Sequence, residues 1–104
     1  MIDIERLGRT LDRALSFFGD KEQQIKTCEE LGELQAEIFK SLKGKADKEH
    51  ITEEIVDVLV CVEYLKKIHD ISDYELDNMF GKKVDRLIKF LDEEEKKRYP
   101  QPEY

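Results

Sequence analysis

The ten residues Glu53 to Val62, Glu-Glu-Ile-Val-Asp-Val-Leu-Val-Cys-Val, constrain this chain more than any other stretch. From Ile55 to Val62 every residue except Asp57 is apolar. At about 100° per helical residue those side chains point in all directions rather than down one stripe, so the stretch predicts a helix inside a bundle. A lone carboxylate in that setting is protonated, paired with a cation or bound to a metal, because desolvating it unaided costs several kcal/mol. Glu54 precedes Asp57 by three residues and shares its face. Glu54-x-x-Asp57 thus sets two inward carboxylates one turn apart, a ligand pair suited to a hard divalent cation.

The rest of the chain reads as helix. Strand-like alternation is absent, apolar spacings of three and four recur, and only five glycines and two prolines interrupt them. A first helix is expected from about Asp3 to Phe18, with Ile4, Leu7, Leu11, Ala14, Leu15 and Phe18 on one face and Gly19 ending it. Asp20 caps a second that continues to about Leu42, where Lys43-Gly44-Lys45 breaks it. A third covers about Asp47 to His69. A fourth starts at Ser72, where Ser72-x-x-Glu75 fits a capping box, and runs through Leu76, Phe80, Val84, Leu87 and Leu91. Gly81 inside it hints at close packing or a kink. One all-α domain over residues 1–98 is expected, followed by a short tail over 99–104.

The second helix carries the partner motif. Its apolar stripe is Cys28, Leu31, Leu34, Ile38 and Leu42, and Glu30, Glu33 and Glu37 form a separate acidic stripe, with Glu33 and Glu37 toward solvent if the helix packs by its apolar side. An acidic stripe alone is what any wet helix face looks like. With Asp57 and Glu54 on the next helix it takes on another meaning, because antiparallel neighbours bring Glu30, Glu33, Glu54 and Asp57 round one cavity. Four carboxylates without histidine suit Mg²⁺ or Mn²⁺ better than zinc. A di-iron bundle wants Glu-x-x-His, and neither His50 nor His69 has a glutamate three residues before it; both read as helix-end residues.

Charge narrows the partners. With 41% charged residues and a net charge of −7, the chain lacks the basic surface that a nucleic acid polymer or an anionic membrane requires. No apolar run approaches a membrane span and no signal-peptide pattern opens the chain, so a cytoplasmic location is expected. Cys28 and Cys61 fall on apolar helical faces outside any CxxC pattern and read as buried free thiols. Lys82, Lys83, Arg86 and Lys89 make one side of the last helix basic, which serves either phosphate contact or simple balance of nearby acids.

Glu29-Glu30-x-x-Glu33 followed by Glu54-x-x-Asp57, in the frame Glu-Glu-Leu-Gly-Glu-Leu then Glu-Glu-Ile-Val-Asp-Val-Leu and with Lys-Lys-Val-Asp-Arg on the last helix, resembles the MazG-like all-α nucleoside triphosphate pyrophosphohydrolases over roughly residues 15–92. The resemblance implies a four-helix, bundle-like MazG-type fold completed by homo-oligomerisation, as a homodimer or dimer of dimers. It implies Mg²⁺-dependent hydrolysis of a nucleoside triphosphate to the monophosphate and pyrophosphate, as in nucleotide-pool housecleaning. Glu30, Glu33, Glu54 and Asp57 would ligate the metal, and Glu29 would hydrogen-bond or touch a second ion. Lys83, with Arg86 or Asn78, would meet the phosphates or support the site, and Phe17, Phe18 and Gln24 fall where relatives contact nucleotide. A reading of another class is a non-catalytic helical dimerisation protein, in which an internal Lys or Arg neutralises Asp57. A nucleotide sensor with the same site and little turnover is a third.

Overall fold

The computed structural model describes residues 2–99 and Pro102, so Pro100, Gln101, Glu103 and Tyr104 of the expected tail lie outside the described residues. Among the described residues the protein is all-α, with four helices and no strand: α1 (Ile4–Phe18), α2 (Asp20–Leu42), α3 (Lys48–Ile68) and α4 (Asp73–Arg98). Among the described residues no helix is long and apolar enough to cross a membrane.

Each boundary has a local cause. Asp3 caps α1, its Oδ1 accepting from the Arg6 amide at 2.9 Å. Gly19 closes α1 by donating to the Leu15 carbonyl at 2.9 Å, in a positive-φ conformation (φ 87°) that glycine adopts freely. Asp20, expected as the cap of α2, is instead its first residue; Gly19 is the cap, because its backbone alone turns the chain from one helix into the next. At the far end of α2 the Gly44 amide donates to Ser41 and the Lys45 amide to Lys40, with Gly44 at φ 77°. These two bonds are a Schellman motif, and they satisfy carbonyls the helix leaves open. Asp47 caps α3 through the His50 amide. Ser72 and Glu75 form the reciprocal capping box of α4.

The chain divides into two units, one reaching to Asp70 and holding α1–α3, the other starting at Ile71 and holding α4. In the first, α2 and α3 form an antiparallel hairpin through residues 43–47, and α1 lies more lightly on both. Lys67 Nζ reaches Asp12 Oδ1 at 2.8 Å and ties α3 to α1, and Leu11 of α1 is buried. The second unit is one continuous 26-residue helix. A Cβ at Gly81 would meet nothing within 4 Å, so neither close packing nor a break accounts for this glycine.

The packing of α2 differs from its apolar periodicity. Its buried residues are Thr27, Glu30 and Glu37, with Leu34 half-buried among them, whereas Leu31, Ile38 and Leu42 of the expected stripe are exposed. Cys28 is exposed too, and of the two thiols only Cys61 is buried. The side of α2 that meets α3 is thus the acidic one, and the apolar stripe lies about a quarter-turn away. Likewise α3 is not enclosed. It buries Glu54 and Cys61 against α2, and Ile55, Val56, Leu59 and Val62 on its outer arc are 40–58% exposed.

Candidate metal centre

A seam between two helices is ordinarily filled by leucine and valine; here carboxylates take several of those places, beside Thr27, Leu34, Val58 and Cys61. Because α2 and α3 are antiparallel, each turn forward on one meets a turn back on the other. Glu30 therefore comes against Asp57, Glu33 against Glu54, and Glu37 against His50. The spacing of three and four in both motifs is what puts every one of these residues on the seam.

The tightest group is Glu30, Glu33 and Glu54, which offer carboxylate oxygens all within 4.8 Å of one another. Glu30 and Glu54 are buried and Glu33 is exposed. Asp57 is half-buried and stands just outside this group, against Glu30. Glu29 points along the solvent side of α2, where Lys26 Nζ approaches its Oε2 at 3.9 Å. Burial pushes the Glu54 carboxyl above its usual range, and the charges of Glu33, Asp57 and Glu30 add to the shift. Burial likewise raises Asp57, with Glu30 and Glu53 adding and Lys26 opposing.

The donor set fits a hard cation. Every ligand atom in the group is a carboxylate oxygen, with no thiol or imidazole among them. Octahedral Mg²⁺ ligands at about 2.1 Å lie roughly 3 to 4.2 Å apart, so side-chain shifts of under an ångström close this group on an ion. With the carboxyls ionised, Glu30 Oε2 and Glu54 Oε2 are buried and accept no hydrogen bond among the described residues. Buried acceptors without donors are costly and uncommon, and a cation supplies what no donor supplies here.

Two further residues join the seam, Lys26, which the sequence did not mark, and His50, which read as a helix-end residue. Lys26, one turn before Glu30, brings Nζ to 3.1 Å from Glu30 Oε1. Glu30 holds that ammonium above its usual range by hydrogen bond and charge, burial works against the shift, and Glu29 and Glu33 add to it. His50, one turn before Glu54, sets Nδ1 at 3.4 Å from Glu37 Oε1, which also meets Lys40 Nζ at 3.0 Å. Extending the helical spacing of each motif by one more turn would have found both. Beside Glu30 and Asp57 an open cleft of about 200 Å³ continues along the seam past Lys26, Cys61 and Tyr64.

The residues expected to meet substrate are carried by three different helices. Gln24 lies six residues before Glu30, roughly 9 Å along α2. Its Oε1 is 3.2 Å from His69 Nε2, so it joins the start of α2 to the end of α3. Asn78, Lys83 and Arg86 are on α4, in the second unit, and are exposed there. Phe17 and Phe18 pack edge to face at the end of α1, both largely exposed. No protein-family model, curated protein or solved structure matches this chain.

Proposed function

We propose that this chain is a Mg²⁺-dependent nucleoside triphosphate pyrophosphohydrolase of the MazG-like, all-α kind, cleaving an NTP or dNTP to the monophosphate and pyrophosphate. The observation that carries the reading is the Glu30–Glu33–Glu54 group, with two buried carboxylate oxygens lacking donors among the described residues. The paired motifs, Glu29-Glu30-x-x-Glu33 and Glu54-x-x-Asp57, add the resemblance described above. Mn²⁺ would be accepted in place of Mg²⁺, having the same preference for oxygen.

Glu30, Glu33 and Glu54 hold the cation, with Asp57 completing the set from beside Glu30. When bound, the cation neutralises the triphosphate and the charge that grows on the leaving pyrophosphate. The chain's own part is to fix the carboxylates on two rigid helices and to leave Glu30 Oε2 and Glu54 Oε2 without a donor of their own. A seam carboxylate takes the proton of the attacking water. The exposed apolar stripe of α2 and outer arc of α3 favour a homodimer or dimer of dimers as the working form. The function proposed is housecleaning of a nucleotide pool in the cytoplasm.

The non-catalytic dimerisation reading needs a buried cation against the seam acids. Lys26 is the nearest candidate, and its side chain is 58% exposed. One exposed ammonium does not neutralise Glu30, Glu33, Glu54 and Asp57 together, so the enzyme reading is preferred. The test is product analysis on a panel of nucleoside triphosphates with Mg²⁺ or with EDTA. Monophosphate and pyrophosphate in equal amounts, abolished by EDTA and by Glu54→Ala, are expected. Diphosphate and phosphate as products, or no turnover of any substrate, would overturn the assignment.

A further inference from the structure

We infer that Lys26 is a phosphate-binding residue held in reserve, paired with Glu30 in the metal-free chain and turned into the adjoining cleft, onto a phosphate of the substrate, once a divalent cation occupies the carboxylates. Given the cation site proposed above, three observations lead there. The first is the pair itself. Lys26 Nζ lies 3.1 Å from Glu30 Oε1 and 3.9 Å from Glu29 Oε2, and the lysine precedes the glutamate by four residues. That order is the weaker orientation for an ion pair on a helix, so helix geometry alone does not hold it. What holds it is the excess of negative charge at the seam.

The second observation is freedom of movement. The Lys26 side chain is 58% exposed, whereas that of Glu30 is 10% exposed. A four-carbon stem in solvent changes rotamer without disturbing the buried carboxylate it leaves. A divalent cation on Glu30, Glu33 and Glu54 weakens the hold on Nζ, because it takes Glu30 as a ligand and cancels two of the negative charges beside the ammonium.

The third is where the ammonium goes. Lys26 forms part of the wall of the open cleft beside Glu30 and Asp57, which continues past Cys61 and Tyr64. An ammonium on that wall stands next to the carboxylates and faces open space. A polyphosphate with one phosphoryl group at the carboxylates extends its next group along this cleft, where Lys26 donates a charge-assisted hydrogen bond. The lysine thus keeps the acidic seam partly compensated while empty and adds anion affinity when it is filled.

The experiment is calorimetric titration of the full chain with Mn²⁺ alone, then of the Mn²⁺-loaded protein with inorganic pyrophosphate, for wild type, Lys26→Met and Lys26→Arg. Lys26→Met is expected to bind Mn²⁺ about threefold more tightly, because the competing ammonium is gone. It is expected to bind pyrophosphate at least about tenfold more weakly, and Lys26→Arg to recover most of that loss. Unchanged pyrophosphate affinity in Lys26→Met overturns the inference whichever way Mn²⁺ affinity moves, and leaves the metal site standing. Wild-type protein that takes up neither Mn²⁺ nor pyrophosphate overturns the cation site and the inference together.

Discussion

Leu59→Glu tests whether a second copy covers the outer arc of α3. Ile55, Val56, Leu59 and Val62 are 43, 50, 58 and 40% exposed. Full burial of such a side chain contributes about 1.5–3 kcal/mol, so roughly half of that, about 1 kcal/mol each, is still to be gained. Four residues give about 4 kcal/mol per protomer and about 8 kcal/mol across a two-fold interface. The exposed Leu31, Ile38 and Leu42 of α2 add to this. The sum reaches the about 4–15 kcal/mol that association costs, so the arc of α3 alone is marginal and both apolar surfaces are needed. Leu59→Glu removes about 1 kcal/mol per copy and buries a carboxylate at a cost of at least about 2 kcal/mol per copy. Symmetry doubles both terms to about 6 kcal/mol, a roughly 10⁴-fold loss of affinity. Light scattering on the eluting protein at micromolar concentration is the assay. Wild type is expected at a multiple of 12.3 kDa and the variant at 12.3 kDa. A wild-type mass of 12.3 kDa, or a variant that keeps the wild-type mass, refutes the reasoning.

Two more expectations follow from the seam and from the end of α2. Burial raises the carboxyls of Glu54 and Asp57, so the folded state holds protons that the unfolded chain has released. Their contribution to stability is full below the ordinary carboxylate range and is lost as pH rises through the raised values. Urea midpoints of metal-free protein should therefore fall across that window, and Mg²⁺ should flatten the slope; midpoints that climb with pH would contradict this. Gly44→Ala forces a β-carbon into the φ 77° conformation of the Schellman turn and is expected to cost about 1 kcal/mol, read as a lower urea midpoint.

Helix boundaries were legible because punctuation is local. Asp3, Gly19, Lys43-Gly44, Asp47 and the Ser72–Glu75 box each act through one or two hydrogen bonds, and a residue pattern carries that information. The face by which α2 packs was not legible. Apolar periodicity points to Leu31, Ile38 and Leu42, yet the hairpin buries Glu30 and Glu37. Periodicity assumes that apolar burial decides the contact, and that rule fails here, where carboxylates lie between the helices. For the same reason Cys28, on the apolar stripe, is exposed. The pairing of Glu30 with Asp57 and of Glu33 with Glu54 follows from motif spacing plus an antiparallel connection, and both were readable from the chain. Lys26 was not singled out and His50 was read only as a helix-end residue, since one charged or titratable residue on a helix carries no signal until its partner across or along the seam is known.

The most direct measurement is anomalous scattering from crystals of the full chain grown with Mn²⁺. A strong peak bounded by the carboxylates of Glu30, Glu33 and Glu54 is expected, lost in Glu54→Gln crystals of the same form. Peaks only at exposed acids away from the α2–α3 seam, or none at all, would contradict the claim that this acidic seam is a cation site.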